Sequence, residues 1–141
     1  MRTLSLTLLI ALIMVRCGDD LGAVSGIEGQ INFSGSMPDS IKAVALVVLE
    51  TEAINDLDNI GDYLLGYSDP LTSTGPYFIQ LQPGTYMAVL VGLLVDPGIF
   101  AVRVDDYVAE GDLPVVQLSS GAFAFPVKEE VVTYEDWTVA F

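Results

Sequence analysis

Residues 85–95, TYMAVLVGLLV, are apolar at odd and even positions alike. A short run of this kind, rich in β-branched residues, fits a strand covered on both faces, so the chain must supply a layer on either side of it. Residues 41–50, IKAVALVVLE, repeat the pattern and predict a second central strand. The segment just before the first run behaves differently. Tyr77, Ile79 and Leu81 alternate with Phe78, Gln80 and Gln82, the period of a strand with one face on a core. Between the two arms stands Pro83-Gly84. Proline presets φ and glycine accepts φ > 0, so residues 77–82 and 85–95 are expected to form a hairpin around which other strands are laid.

The remaining chain reads mostly as strands. Over residues 23–33, Ile27, Gly29, Ile31 and Phe33 share one face, and Glu28, Gln30 and Asn32 take the other. This predicts a half-buried strand near a sheet edge. Residues 34–40 form a turn. Residues 51–70 mix Asp56, Asp58, Asp62 and Asp69 with Ile54, Leu57, Ile60, Leu64 and Leu65 at loosely helical spacing, predicting a short helix or ordered excursion. After a turn at Asp96-Pro97-Gly98, residues 99–108 read as a strand with Phe100, Val102 and Val104 inward and Arg103 and Asp105 outward. Glu110-Gly111-Asp112 breaks it. Two short strands, 114–118 and 122–127, flank Ser119-Ser120-Gly121. Lys128-Glu129-Glu130 is a charged turn before a closing strand over 131–141. Strands at this spacing point to an all-β fold, an antiparallel β-sandwich of about seven to eight strands forming one domain over residues 23–141.

Charge removes several functions. Lys and Arg number 5 against 19 Asp and Glu, for a net charge of −14. Binding phosphates needs cations that this chain lacks, so nucleic acid is excluded as a partner and anionic headgroups are repelled. The chain has no His, hence neither the commonest general base nor the commonest transition-metal ligand. Its one Cys, Cys17, allows no internal disulfide. A hydrophobic share of 52% rules out a disordered chain in spite of the acidity.

The N-terminus carries an address. After Arg2, residues 4–15 are an apolar run, LSLTLLIALIMV, shorter than the ~20 residues a spanning helix needs and fitting the h-region of a signal peptide. Arg16, Cys17 and Gly18-Asp19-Asp20 follow. This arrangement resembles a bacterial lipoprotein signal, although Arg16 stands where that pattern has a small residue and Met14 where it usually has Leu. The resemblance implies a signal over 1–16, a lipidated Cys17, a tether over 17–22 and a membrane contact through the lipid. The expected location is the cell envelope: outer membrane, periplasmic or surface-facing. The acidic residues after Cys17 also resemble the surface-export signals of Bacteroidetes-type lipoproteins.

A second resemblance lies in the domain. Gly26-x-x-Gly29-x-Ile31-x-Phe33 followed by Pro38, and Tyr77-x-Ile79-x-Leu81-x-Pro83-Gly84-x-Tyr86, are similar to transthyretin-like (prealbumin-like), carboxypeptidase-regulatory-like β-sandwich domains. That similarity implies a sandwich and an accessory role in envelope proteins, in stability, carbohydrate contact or docking. It also implies a structural Tyr86, its ring buried and its hydroxyl tied to backbone. Enzymatic relatives carry His-containing motifs, which this chain lacks.

Candidate chemistry is sparse. With Asp56 at position 1 of a calcium loop, Asp58 and Gly61 fall at positions 3 and 6, but Ile60 and Tyr67 occupy positions that need oxygen ligands. An EF-hand is rejected, leaving Asp56, Asp58 and Asp62 as weak metal candidates. Asp105, Asp106, Glu110 and Asp112 form another acidic cluster, and Glu129, Glu130, Glu135 and Asp136 a third. Glycoside hydrolysis would need two of these carboxylates across a cleft, for which so small a domain has little room. Ser119 and Ser120 have no His to activate them, only Lys42 and Lys128. Tyr63, Tyr67 and Trp137, with Tyr107 and Tyr134, are the aromatic candidates for contact with a ligand. The expectation is a non-catalytic, lipid-anchored envelope protein acting in structure, docking or ligand binding, with no cofactor and an envelope protein or glycan as partner. The alternative is a carbohydrate-binding module using Tyr63, Tyr67 or Trp137, aided by calcium. Strand 23–33 or 131–141, if an open edge, could add a strand from a second copy.

Overall fold

The computed structural model describes residues 24–55, 57–119 and 122–141, with the side chains of 54–58 left aside. The predicted signal, Cys17 and the tether lie outside the described residues, as do Asp56, Ser120 and Gly121. The fold is a β-sandwich with a helical layer on one side.

Sheet B is built on the two runs that are apolar on both faces. β2 (Ala43–Leu49) is buried at every position, and β5 (Gly84–Leu93) from Met87 onward. They pair antiparallel, Ala43 opposite Leu93 through Leu49 opposite Met87. β3 (Leu64–Tyr67) adds to the outer side of β2 with a bulge at Val48/Leu49. β6 (Val115–Gln117) and β7 (Phe123–Val127) lie end to end along the other side of β5. Val44, Leu46, Val48 and Leu90 point to one face and meet Ile27, Ile31, Ile79 and Val139 of the opposing sheet. Ala43, Ala45, Val47, Val89 and Val91 point to the other and are covered by Ala53, Ile60 and Phe100.

That cover includes a correction. Residues 99–108, expected as a strand, belong to helix α1 (Pro97–Glu110). Pro97 occupies the first turn, where its missing N–H costs nothing. Gly111 ends the helix at φ 71°, ψ 23°, its N–H and that of Asp112 bonding back to the carbonyls of Val108 and Tyr107. The apolar residues that matter are Phe100, Val104 and Tyr107, at helical spacing on the face packed against sheet B. Val102, predicted inward, is 84% exposed. The excursion before β3 is ordered, as two 3-10 stretches, Thr51–Asn55 and Leu57–Tyr63, with a kink at Asn59.

Sheet A is centred on β1 (Gly26–Ser34), which is not an edge. β4 (Gly75–Gln80) pairs antiparallel on one side, while β8 (Val132–Tyr134) and β9 (Trp137–Ala140) pair parallel on the other. Strand addition at 23–33 is therefore blocked by neighbours on both sides. The expected closing strand is broken at Glu135-Asp136, where the Asp136 carboxylate, in place of a backbone carbonyl, accepts the Gln30 N–H at 2.8 Å. Gly29 makes this possible: a Cβ there would collide with the Glu135 carbonyl. Among the described residues nine strands thus stand where about eight were expected.

β4 and β5 do not form a hairpin. They lie in different sheets, and Pro83-Gly84 carries the chain from one to the other. The backbone partners decide this: β4 is taken by β1, and β5 by β2, β6 and β7. The Tyr86 hydroxyl donates to the Gln82 carbonyl at 2.6 Å across this corner, with its ring half-buried against Phe125.

Candidate functional site

The outward face of sheet B is roofed by α1 and the 3-10 stretches. The outward face of sheet A carries no such layer among the described residues, and its side chains face solvent. Strand alternation puts Ile27, Tyr77 and Ile79 inward and Glu28, Phe78 and Gln80 outward. Pairing then sets residues side by side. Glu28 lies opposite Phe78 on β4 and opposite Tyr134 on β8, giving a cross-strand row Phe78–Glu28–Tyr134. Phe78 is 45% and Tyr134 62% exposed, and Glu28 is exposed between them. Two interstrand spacings separate the backbones bearing the rings, about 10 Å. Pro76 and Gln30 form the adjoining row, and Asn32 and Thr138 the next.

Two carboxylates differ in their engagement. Asp136 accepts from the Gln30 N–H, and its charge and hydrogen bond with Tyr134 raise that phenol above its ordinary range, with a further push from Glu28. The Glu28 carboxylate makes no hydrogen bond to another described residue and faces outward. Beside it, Glu28, Asp69, Pro76, Tyr77 and Phe78 line a hollow of about 350 Å³. Behind the row, Trp137 Nε1–H donates to the Tyr77 hydroxyl at 3.2 Å, which donates to the Glu135 carbonyl at 2.5 Å. Burial is the main cause pushing the Tyr77 phenol up to about 12, and the nearby Glu135 and Asp136 charges add to it.

The aromatic residues singled out in the sequence are not brought together. Tyr63 and Tyr67 are half-buried on the α1 side of sheet B, Tyr67 edge-on to Phe100 at 5.3 Å. Trp137 is half-buried in the other sheet, edge-on to Phe123 at 5.8 Å. Asp62 is exposed at the end of the second 3-10 stretch, while Asp56 and the Asp58 side chain lie outside the described residues. Among the described residues no group of three His, Cys, Asp or Glu is placed to hold a metal ion. Asp105, Asp106, Glu110 and Asp112 are solvated on α1 and just beyond it. Ser119 accepts the Leu90 N–H, at 3.3 Å. A second hollow, about 280 Å³ between the 3-10 stretches and β6, has Asp112 as its one ionisable lining group.

Phe78 and Glu28 were not among the sequence candidates. The available signal was an aromatic in the polar register of an alternating strand, Phe78 in line with Gln80 and Gln82.

No family model matches the sequence, and no curated protein matches it. A solved structure described as "a putative adhesin from Bacteroides ovatus" aligns with it at 12% identity and a TM-score of 0.36, covering 82% of this chain. The chain spans 45% of the length of that protein. Among the described residues no helix is long and apolar enough to cross a membrane.

Proposed function

We propose that the chain is a non-catalytic, transthyretin-like module of the cell envelope, held to a membrane by lipid on Cys17, that docks its target on the open face of sheet A. The asymmetry of the two sheets carries this reading. The central strands of one sheet are buried on both faces, and the other sheet presents two rings and a carboxylate to solvent with no layer over them among the described residues. A chain without His, in which half-buried Ser119 accepts from the Leu90 N–H and Asp136 from the Gln30 N–H, supports binding rather than turnover. The apolar run and Cys17 support the anchor.

Intact mass of the protein from its native membrane fraction tests the anchor. Loss of residues 1–16 with acyl chains on Cys17 is the expected result. An unmodified chain would mean that Arg16 defeats processing, and the anchored reading would fall.

A further inference from the structure

We infer that the Phe78–Glu28–Tyr134 row is a binding strip for an extended, neutral glycan chain. This rests on the reading of sheet A as the docking face and names what docks there.

Shape comes first. The face is an open sheet with solvent-open hollows beside Phe78 and at Gln80, unlike the enclosing pockets that bury most of a small molecule. It suits a polymer lying along the surface. Two exposed rings carried on strands about 10 Å apart each offer a sugar a platform, because the apolar C–H face of a pyranose packs on an aromatic face. Glu28 lies between the rings, Gln30 and Gln80 beside them, and Asn32 and Thr138 farther along the face, offering acceptors and donors to hydroxyls that point both ways.

Charge removes the anionic alternatives. With a net charge of −14 and no Lys or Arg in the row, uronates, phosphates and sulfates are repelled. A protein partner would need roughly 800 Å² per side with an apolar centre, whereas the rings here are set among amides and hydroxyls. Hydrolysis is not part of the inference. Asp136 is held by Gln30 and Tyr134, and Asp69, which lines the hollow beside Glu28, is assigned with Glu28 to holding sugar hydroxyls.

The test is calorimetric titration of the full-length chain with cellohexaose, xylohexaose and mannohexaose, with polygalacturonate as the anionic control. Saturable binding of at least one neutral hexasaccharide is expected, and none of polygalacturonate. Phe78→Ala and Tyr134→Ala should each weaken binding about tenfold, and the double variant should abolish it. Ile99→Ala, on the exposed side of α1, should leave affinity unchanged and reports on the fold. Absence of binding to all three sugars would overturn the inference. So would affinity indifferent to both ring removals, or binding of the anionic polymer as tightly as the neutral chains. Intact mass on the same preparation separates the two readings. An acylated Cys17 without sugar binding overturns the glycan inference alone, while sugar binding by an unmodified chain upholds it and overturns the anchor.

Discussion

Sheet B and sheet A use the same backbone pattern for opposite ends. In β2 consecutive residues are all buried, because Val44 and Leu46 face the sandwich core while Ala45 and Val47 face α1. In β1 and β4 burial alternates, and the outward positions hold Glu28, Gln30, Phe78 and Gln80. The first sheet has no surface left to act with on its two central strands. The second gives up half of its burial and so has a face to display. A three-layer arrangement lets a chain of this size keep a dense core while leaving one flat surface open.

The sharpest way to break this contrast is to remove one large side chain from each sheet. Leu90→Ala, at a position 1% exposed between the sheets, should cost ~3 kcal/mol by leaving a cavity. Phe78→Ala should change stability by less than ~1 kcal/mol, as expected of an exposed position. Urea unfolding of both variants decides it: equal losses would mean that Phe78 is structural and that sheet A displays nothing.

How far this contrast is legible in the sequence follows from what alternation encodes. Period-2 patterning reports which face a side chain takes, so Ile27 and Ile79 inward, Glu28 and Phe78 outward, and β2 and β5 covered on both faces could all be read. It does not report which strand lies beside which. Pro83-Gly84 serves a hairpin and a crossing between sheets equally well, and only the distant partner β1 decides between them. The site was hidden for the same reason. Residues 28, 78 and 134 meet only through pairings of long sequence separation. Helix α1 was missed because Phe100, Val102 and Val104 alternate by chance, while Pro97 and Gly111, read as turn residues, are its start and stop.

A smaller effect sharpens the account of sheet B. Where the chain leaves β3, fully buried Ser68 stands in for a strand residue: its Oγ accepts the Leu46 N–H and its own N–H donates to the Leu46 carbonyl, both at 2.9 Å. Ser68→Ala keeps the second bond and orphans the Leu46 N–H, which should cost ~1–3 kcal/mol. Faster amide exchange at Leu46 than at Val48 would localise the loss. An unchanged urea midpoint would show that the edge does not depend on this hydroxyl.

The last effect belongs to sheet A and is lost only in alkali. The Tyr77 phenol, raised from 10 to about 12 chiefly by burial, keeps its proton in the folded state after the unfolded chain has begun to release it. Its contribution is therefore intact below pH 10 and is lost as pH rises from about 10 through 12. Tyr77→Phe should be less stable than wild type at neutral pH, since the Glu135 carbonyl loses its donor and the Trp137 N–H its acceptor. Through that alkaline window the two unfolding midpoints should converge, because only the wild type has this proton to lose. The surface phenol of Tyr134, raised chiefly by Asp136, is present in both proteins and cancels from the difference. A gap between the midpoints that stays constant to pH 12 would mean that Tyr77 titrates alike folded and unfolded. The Tyr77 hydroxyl would then be solvated and not buried behind the displayed row.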